Sequence, residues 1–87
     1  MARALEGKKV AALVAKGFEQ VELLQPRDAL EQAGAMVDIV SPESGRVRAW
    51  DMDNWGDEID VDVALEDAAV ENYDALLLPG VPVMATL

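Results

Sequence analysis

Residues 8–22, K-K-V-A-A-L-V-A-K-G-F-E-Q-V-E, decide the fold of this chain. Residues 9–15 form a near-continuous apolar run, which is typical of a parallel strand covered on both faces. The run enters a turn at Gly17 and then delivers two carboxylates, Glu19 and Glu22, at the start of a helix. Because ligands of open α/β sheets bind beyond the carboxyl ends of the strands, we expect these acids to lie beside a site at that edge.

Composition limits the functions that this site can serve. The 87 residues contain no Cys and no His, so the commonest nucleophiles and bases for such acids are absent. The net charge of −10 repels phosphate groups, which argues against nucleic acid or an anionic membrane as a partner. The sequence has no apolar run of the roughly 20 residues that span a bilayer and no segment of signal-peptide type. It therefore predicts one small cytoplasmic domain, residues 1–87, without a cofactor.

Three further segments complete an alternating α/β pattern. Residues 20–33 predict a helix, and Gly34 stands where a left-handed cap belongs. Pro26 must kink this helix or open a second segment. Residues 36–40, which include V-D-I-V, predict a second strand, and D-A-L-L-L at residues 74–78 predicts a third. The apolar residues at helical spacing are Val21, Leu24, Ala29, Leu30 and Ala33.

The pattern between the second and third strands is less regular. Val47 and Ala49 suggest a short strand, residues 52–56 a polar loop, and the alternation from Ile59 to Val63 a second arm. We interpret this segment as an antiparallel excursion appended to the sheet. A short connector with a helical turn is expected over residues 62–70.

Several motifs in order carry a resemblance to a known family. They are G-F-E-Q-V-E-L, P-R-D-A-L-E-Q-A-G, V-D-I-V-S-P, W-D-M-D-N-W-G-D and Y-D-A-L-L-L-P-G, spread over residues 8–80. Together they resemble the amino-terminal half of the PfpI family in the DJ-one/PfpI superfamily, whose bacterial members include intracellular proteases and general stress proteins. The resemblance implies a flavodoxin-like, class I glutamine amidotransferase-like three-layer sandwich, truncated here to about its first half.

The resemblance also implies site residues. Glu22 matches the carboxylate that lies beside the reactive Cys of the family, and Glu19 matches an acidic position in the same turn. Gly80 matches the first Gly of the L-P-G-G motif, and Val81 replaces the second Gly on the oxyanion side. The Cys and His of the family would lie beyond Leu87. The chain alone is therefore expected to be inactive, with Glu22 as a vestigial carboxylate.

Each of these residues also has an interpretation without catalysis. The helix macrodipole stabilises acids in a first helical turn, which would account for Glu19 and Glu22. A β-branched Val81 would crowd an oxyanion pocket, and Pro82 removes an amide donor. The residues after Gly80 would then be a divergent or disordered tail.

An acidic loop offers a different kind of site. Asp51, Asp53 and Asp62 occupy the first, third and twelfth positions of a twelve-residue segment with Gly56 at the sixth, as in a calcium-binding EF-hand loop. Trp55 stands at the fifth position, where an oxygen ligand belongs. These acids are weak candidates for divalent-cation ligands.

Because the resemblance covers only the first half of the family fold, it predicts that this chain binds a partner chain. In a 2-1-3-4-5 strand order, the strand from Asp74 to Leu78 would have no neighbour on its outer edge. We expect this edge to mediate a homodimer or higher self-association, or to bind a chain that supplies the missing half. Three functions remain open: a fragment of a cysteine-dependent protease-like, amidase-like or glyoxalase-like enzyme of the stress response, a non-catalytic dimerising or interaction module, and a divalent-cation binder.

Overall fold

The structure, a computed structural model, describes residues 4–79 and the backbone of residues 83–86. One helix, α1 (Gln20–Gln32), and two short 3₁₀ turns (Leu65–Asp67 and Val70–Asn72) accompany eight strands in this part of the chain. The strands are β1 (Lys9–Leu13), β2 (Phe18–Glu19), β3 (Met36–Ser41), β4 (Arg46–Asp51), β5 (Asn54–Asp60), β6 (Val63–Ala64), β7 (Ala75–Leu78) and β8 (Val83–Thr86).

The main sheet has the order β6-β3-β1-β7-β8, in which β1 pairs parallel with both β3 and β7. The first three core strands therefore lie in the 2-1-3 order of a flavodoxin-like sheet, which confirms the predicted α/β fold class. The apolar run of β1 fits its central position, since Val10, Ala11 and Ala12 in the middle of the strand are buried.

One face of this sheet carries the core of the protein. Residues at the same register point to the same face, so Val10 and Ala12 of β1 lie beside Ile39 of β3 and Leu77 of β7. Leu23 from α1 packs into the same cluster and is fully buried. The cluster consists of Val10, Ala12, Val14, Phe18, Leu23, Ala35, Ile39, Val47, Ala49, Ala75 and Leu77.

Helix α1 departs from the predicted apolar stripe. Leu23 is its buried residue, whereas Val21, which the helical spacing placed on the apolar face, is 50% exposed. Pro26 lies inside one continuous helix and does not open a second segment. The predicted cap is confirmed, because Gly34 has a φ of 101° and the amide of Ala35 donates to the carbonyl of Leu30 at 3.0 Å, as in a Schellman motif.

The segment after β3 was predicted only in part. The antiparallel hairpin exists, but β4 and β5 form a separate sheet with β2 and are not appended to the main sheet. The loop predicted over residues 52–56 is a two-residue turn, and Asn54 already pairs with Asp51. Val63, expected in the second arm, belongs instead to β6, a parallel edge strand beside β3.

The prediction that the third core strand, β7, has an open outer edge is wrong. Strand β8 pairs antiparallel with β7 along its whole length, from Ala75 opposite Thr86 to Leu78 opposite Val83. The tail expected after Gly80 thus contains an edge strand. A parallel crossover needs many residues, whereas an antiparallel return needs few, and this difference accounts for the error. Self-association through the edge from Asp74 to Leu78 stays a prediction, and it would require β8 to move away.

The face opposite α1 is covered differently. We call it the far face and define it by Ala11, Leu13, Val40 and Leu76. Residues from the segment 65–73, which contains the two 3₁₀ turns, lie over it and leave an apolar cavity of about 180 Å³. Val70 in these turns is 68% exposed. The far face therefore has partial cover, where a three-layer sandwich has a layer of helices.

Tyr73 connects the segment that lies over the far face to the strands of the sheet. Its hydroxyl donates to Oδ2 of Asp38 at 2.8 Å, and Nζ of Lys9 lies 5.3 Å from its ring centroid. Burial, followed by the hydrogen bond to Asp38 and the negative charges of Asp38 and Asp62, raises the pKa of Tyr73 from 10.0 to about 12. The phenol is therefore held in its neutral, donating form.

Replacing Tyr73 by Phe should lower the free energy of unfolding by about 1–2 kcal/mol at neutral pH, since it removes a hydrogen bond to a carboxylate. Because the pKa of Tyr73 is raised in the folded state, its contribution is complete below pH 10 and is lost as the pH rises to about 12. Urea unfolding of both proteins across this window measures the difference. An unchanged gap between wild type and Tyr73→Phe at both ends of the window would contradict this assignment.

The β4–β5 turn contains a strained residue. Met52 has a φ of 60° and is 85% exposed. Met52→Gly should raise the free energy of unfolding by about 0.5 kcal/mol, since relief of the left-handed conformation, about 1–2 kcal/mol, exceeds the extra chain entropy of Gly, about 0.5–1 kcal/mol. Asp53→Gly, at a neighbouring position without positive φ, is the matched control for urea unfolding. Equal destabilisation by both substitutions would refute the strain at Met52.

Candidate functional site

The link between β1 and α1 builds the carboxyl edge of the sheet. After β1, the amide of Val14 still donates to the carbonyl of Val40 at 3.0 Å. The chain then turns at Gly17, whose φ of 86° favours glycine and whose amide donates to the carbonyl of Arg48 at 2.8 Å. Strand β2 continues this link, because Phe18 pairs with Ala49 of β4. The turn is thereby attached both to the sheet and to the hairpin, and it fixes where α1 begins.

The two predicted carboxylates lie at the start of α1. Glu19 is the residue before the helix, and its side chain is half-buried without a capping hydrogen bond. Glu22 lies in the first turn and is also half-buried, and its Oε2 atom is shielded from solvent without a hydrogen-bond partner among the described residues. A shielded carboxylate oxygen without a donor is energetically costly.

Pro26 removes the usual helical donor to the main-chain carbonyl of Glu22. It stands four residues after Glu22 and has no amide proton, so the main-chain carbonyl of Glu22 receives no helical hydrogen bond from that position. The first turn of α1 therefore presents acceptors from both the side chain and the main chain of one residue.

A cleft of about 520 Å³ lies at the carboxyl ends of β1, β3 and β7. Its volume is in the range of small-molecule sites, and its position is where open α/β sheets bind ligands. Glu22 is not in the wall of this cleft, which is nonpolar except for the Lys16 side chain. The lining residues are Leu13, Val14, Ala15, Lys16, Gly17, Phe18, Pro42, Leu65, Leu78 and Pro79.

The predicted oxyanion-side loop lies outside the described residues. Gly80 and Val81 fall in the interval between Pro79 and β8. Leu78 and Pro79, the first two positions of the motif, contribute to the wall of the cleft. The motif thus begins at the predicted edge of the sheet.

The acidic segment does not have the geometry of a calcium loop. Asp51 and Asp53 flank the tip of the hairpin, while Asp62 lies beyond β5. The Oδ2 atom of Asp62 accepts from the amide of Ile39 at 2.7 Å, and the amide of Asp62 donates to the carbonyl of Ile39 at 2.8 Å. Within residues 4–79, no group of three or more Asp, Glu, His or Cys side chains is placed to hold a metal ion.

Gly56 was predicted at the sixth position of a calcium loop, but in the structure it leaves room for the side chain of Gln20. The side chain of Gln20, at the start of α1, crosses this glycine, and its Oε1 atom accepts from the amide of Asp57 at 2.7 Å. A Cβ atom at position 56 would collide with the Gln20 side chain. Gln20 was missed from the sequence, because its partner is 37 residues away and no local pattern links the two.

Glu22→Leu should raise the free energy of unfolding of this chain by about 1 kcal/mol. Removing an unpaired buried acceptor gains about 1–3 kcal/mol, which exceeds the 0.3–1 kcal/mol of macrodipole stabilisation that is lost. Gln25→Leu, an exposed change in the same helix, is the matched control and should stay within about 0.5 kcal/mol of wild type. Urea unfolding measures both, and clear destabilisation by Glu22→Leu would mean that Oε2 has a partner.

Comparison with known proteins assigns the family. The model of the DJ-1/PfpI family matches residues 8–82. An uncharacterized protein of Staphylococcus epidermidis is 41% identical over 73 residues, which are 84% of this chain and 41% of the relative. Uncharacterized proteins of Staphylococcus haemolyticus and Staphylococcus aureus are 38% and 37% identical over the same share of each chain. The chain thus spans about two fifths of the length of these curated relatives.

Within the described residues, no helix is both long and apolar enough to cross a membrane. The family match covers the β1 strand, the Gly17 turn, Glu22 and the strand that leads into Pro79. The chain belongs to the DJ-1/PfpI family.

Proposed function

We propose that this chain supplies the carboxylate part of a stress-associated, hydrolase-like site of the PfpI type, and that it has no turnover by itself. In this proposal the Oε2 atom of Glu22 pairs through a hydrogen bond with the sulfur of a thiol group that another stretch of polypeptide provides. A carboxyl group beside a thiol shares one proton with it, which favours the reactive thiolate. The 87 residues contain neither Cys nor His, so they cannot complete such a pair.

The observation that carries this proposal is the unpaired Oε2 atom of Glu22. A buried acceptor without a donor is rare in folded proteins, and its partner is commonly an ordered water, a ligand, an ion or a group of another polypeptide. Its place in the first turn of α1, reached from β1 through Gly17, is the position expected from the family resemblance.

The incomplete burial of the far face supports a role for additional polypeptide. Leu13 and Leu76 are only partly buried there, and Val70 is largely exposed above them. The curated relatives contain a further length of chain, since this chain accounts for 41% of them. We propose that equivalent polypeptide covers the far face and carries the nucleophile. A cytoplasmic location belongs to the proposal, because a thiol nucleophile stays reduced there.

A non-catalytic module that associates with itself is the second candidate. The same far face favours it, because a second copy could cover the exposed apolar side chains at Leu65 and Val70. Sedimentation velocity over a range of concentrations separates the candidates, since a second copy gives a dimer without other polypeptide. The divalent-cation hypothesis has no such support, because the carboxylate of Asp62 is bonded to the Ile39 amide.

The proposal is tested by co-expressing this chain with the part of the Staphylococcus epidermidis relative that lies outside the matched region. The purified complex should turn over a peptide or methylglyoxal, whereas the chain alone should not. Glu22→Gln should lower turnover of the complex by about a hundredfold or more, the usual scale for loss of an acid–base group. Gln25→Glu, on the exposed side of α1, is the control and should leave turnover unchanged.

Two results would overturn the proposal. One is turnover by the isolated chain that Glu22→Gln abolishes, because the chemistry would then need no thiol. The other is an active complex in which Glu22→Gln has no effect.

A further inference from the structure

A second cleft, of about 320 Å³, lies between the β1–β2 turn and the β4–β5 hairpin. The chain has only seven basic residues against seventeen acidic ones, yet three of the basic residues meet here. We call this the basic cleft, and its lining residues are Lys16, Glu43, Arg46, Arg48, Trp55 and Glu58.

Two of the three cations lack a carboxylate partner. Arg46 is neutralised, since its Nε atom lies 3.1 Å from Asp60 and its Nη1 atom 3.7 Å from Glu58. Lys16 and Arg48 form no ion pair with any acid in the part of the chain that the structure describes. Glu43 and Glu58 line the same cleft, and Glu58 lies opposite Arg48 in the hairpin register, but the ion pair of Glu58 is with Arg46.

Trp55 holds these two cations in the cleft. Nζ of Lys16 lies 5.5 Å and Cζ of Arg48 5.8 Å from its ring centroid, within the range of cation–π attraction. The Trp55 ring is itself braced, because it meets Trp50 edge-on at 5.2 Å and the Trp50 indole donates to the carbonyl of Met52 at 2.7 Å. A side chain that is 49% exposed is thus part of an ordered platform.

The main chain fixes the spacing of the cations as well. Lys16 precedes Gly17, whose amide donates to the carbonyl of Arg48 at 2.8 Å. The same hydrogen bond positions the link between β1 and α1, so the two segments that carry the cations are joined directly through the main chain. Preorganised cations bind an anion with little loss of side-chain entropy.

We propose that the basic cleft binds a small oxyanion, a carboxylate or a phosphate group, between Lys16 and Arg48. The guanidinium of Arg48 matches the two oxygens of such a group, and the ammonium of Lys16 adds a point charge. Glu43 and Glu58 in the walls repel an extended polyanion, so the site takes a compact ligand. This site is separate from the Glu22 carboxylate and does not depend on the proposed hydrolase-like chemistry.

The test is a titration of the ¹⁵N-labelled chain with sodium phosphate or sodium acetate, each against sodium chloride at equal ionic strength. Saturable shifts of the Trp55 indole and of the Lys16 and Arg48 amides are expected with at least one oxyanion, and the two arms separate phosphate from carboxylate. Arg48→Gln should weaken binding about tenfold, since it removes a charge-assisted contact. Lys8→Gln, at the opposite end of β1, is the control and should bind as wild type does.

Lys16→Gln provides a second variant in case Arg48→Gln does not fold, and it should also weaken binding. Equal shifts with chloride and the oxyanions, or unchanged binding in a folded Arg48→Gln or Lys16→Gln variant, would overturn the proposal. So would saturable binding of a polyglutamate peptide without binding of either small anion, because the cleft would then be a docking surface for an acidic protein.

Discussion

The structure depends on the pairing of β1 with parallel strands on both sides. Main-chain hydrogen bonds register all five residues of β1 with β3 and three of them with β7. Two further bonds extend the pairing at the amino end, where the amides of Met36 and Asp74 donate to the carbonyls of Lys8 and Lys9. The carboxyl ends of three strands are thereby brought to one edge, so the residues after β1 are delivered to a common cleft.

The connection from β1 to α1 is attached to the hairpin by hydrogen bonds. Gly17 turns the chain, its amide bonds to Arg48, and the side chain of Gln20 reaches the amide of Asp57 across Gly56. The hairpin therefore fixes the position of the start of α1. Lys16 lies in this connection, the carbonyl of Arg48 accepts the Gly17 hydrogen bond, and Glu22 follows in the first turn of α1, so one backbone turn supports both proposed sites.

Much of this arrangement could be predicted from local sequence. The apolar run of β1, the cap at Gly34 and the helix after the Gly17 turn have signals within a few residues, and the structure has each where the pattern indicates. The two acids lie at the start of that helix, but Glu22 is not in the wall of the cleft. The errors concern residues whose partners are distant. The burial of Leu23, the pairing of β8 with β7, the separate sheet of the hairpin and the Gln20–Asp57 bond are decided by tertiary contacts. The three aspartates matched a calcium-loop spacing, but β5 extends from the hairpin turn and separates Asp62 from Asp51 and Asp53.

The central claim is that α1 completes one face of the sheet and leaves the far face to be covered by other polypeptide. Methyl NMR with a soluble paramagnetic agent, at several protein concentrations, tests this claim most directly. We expect broadening of the Leu13 and Leu76 methyl signals in the dilute chain, protection of Leu23 and Ile39, and protection of all four in the co-expressed complex. Protection of Leu13 and Leu76 in the dilute, isolated chain would contradict the claim.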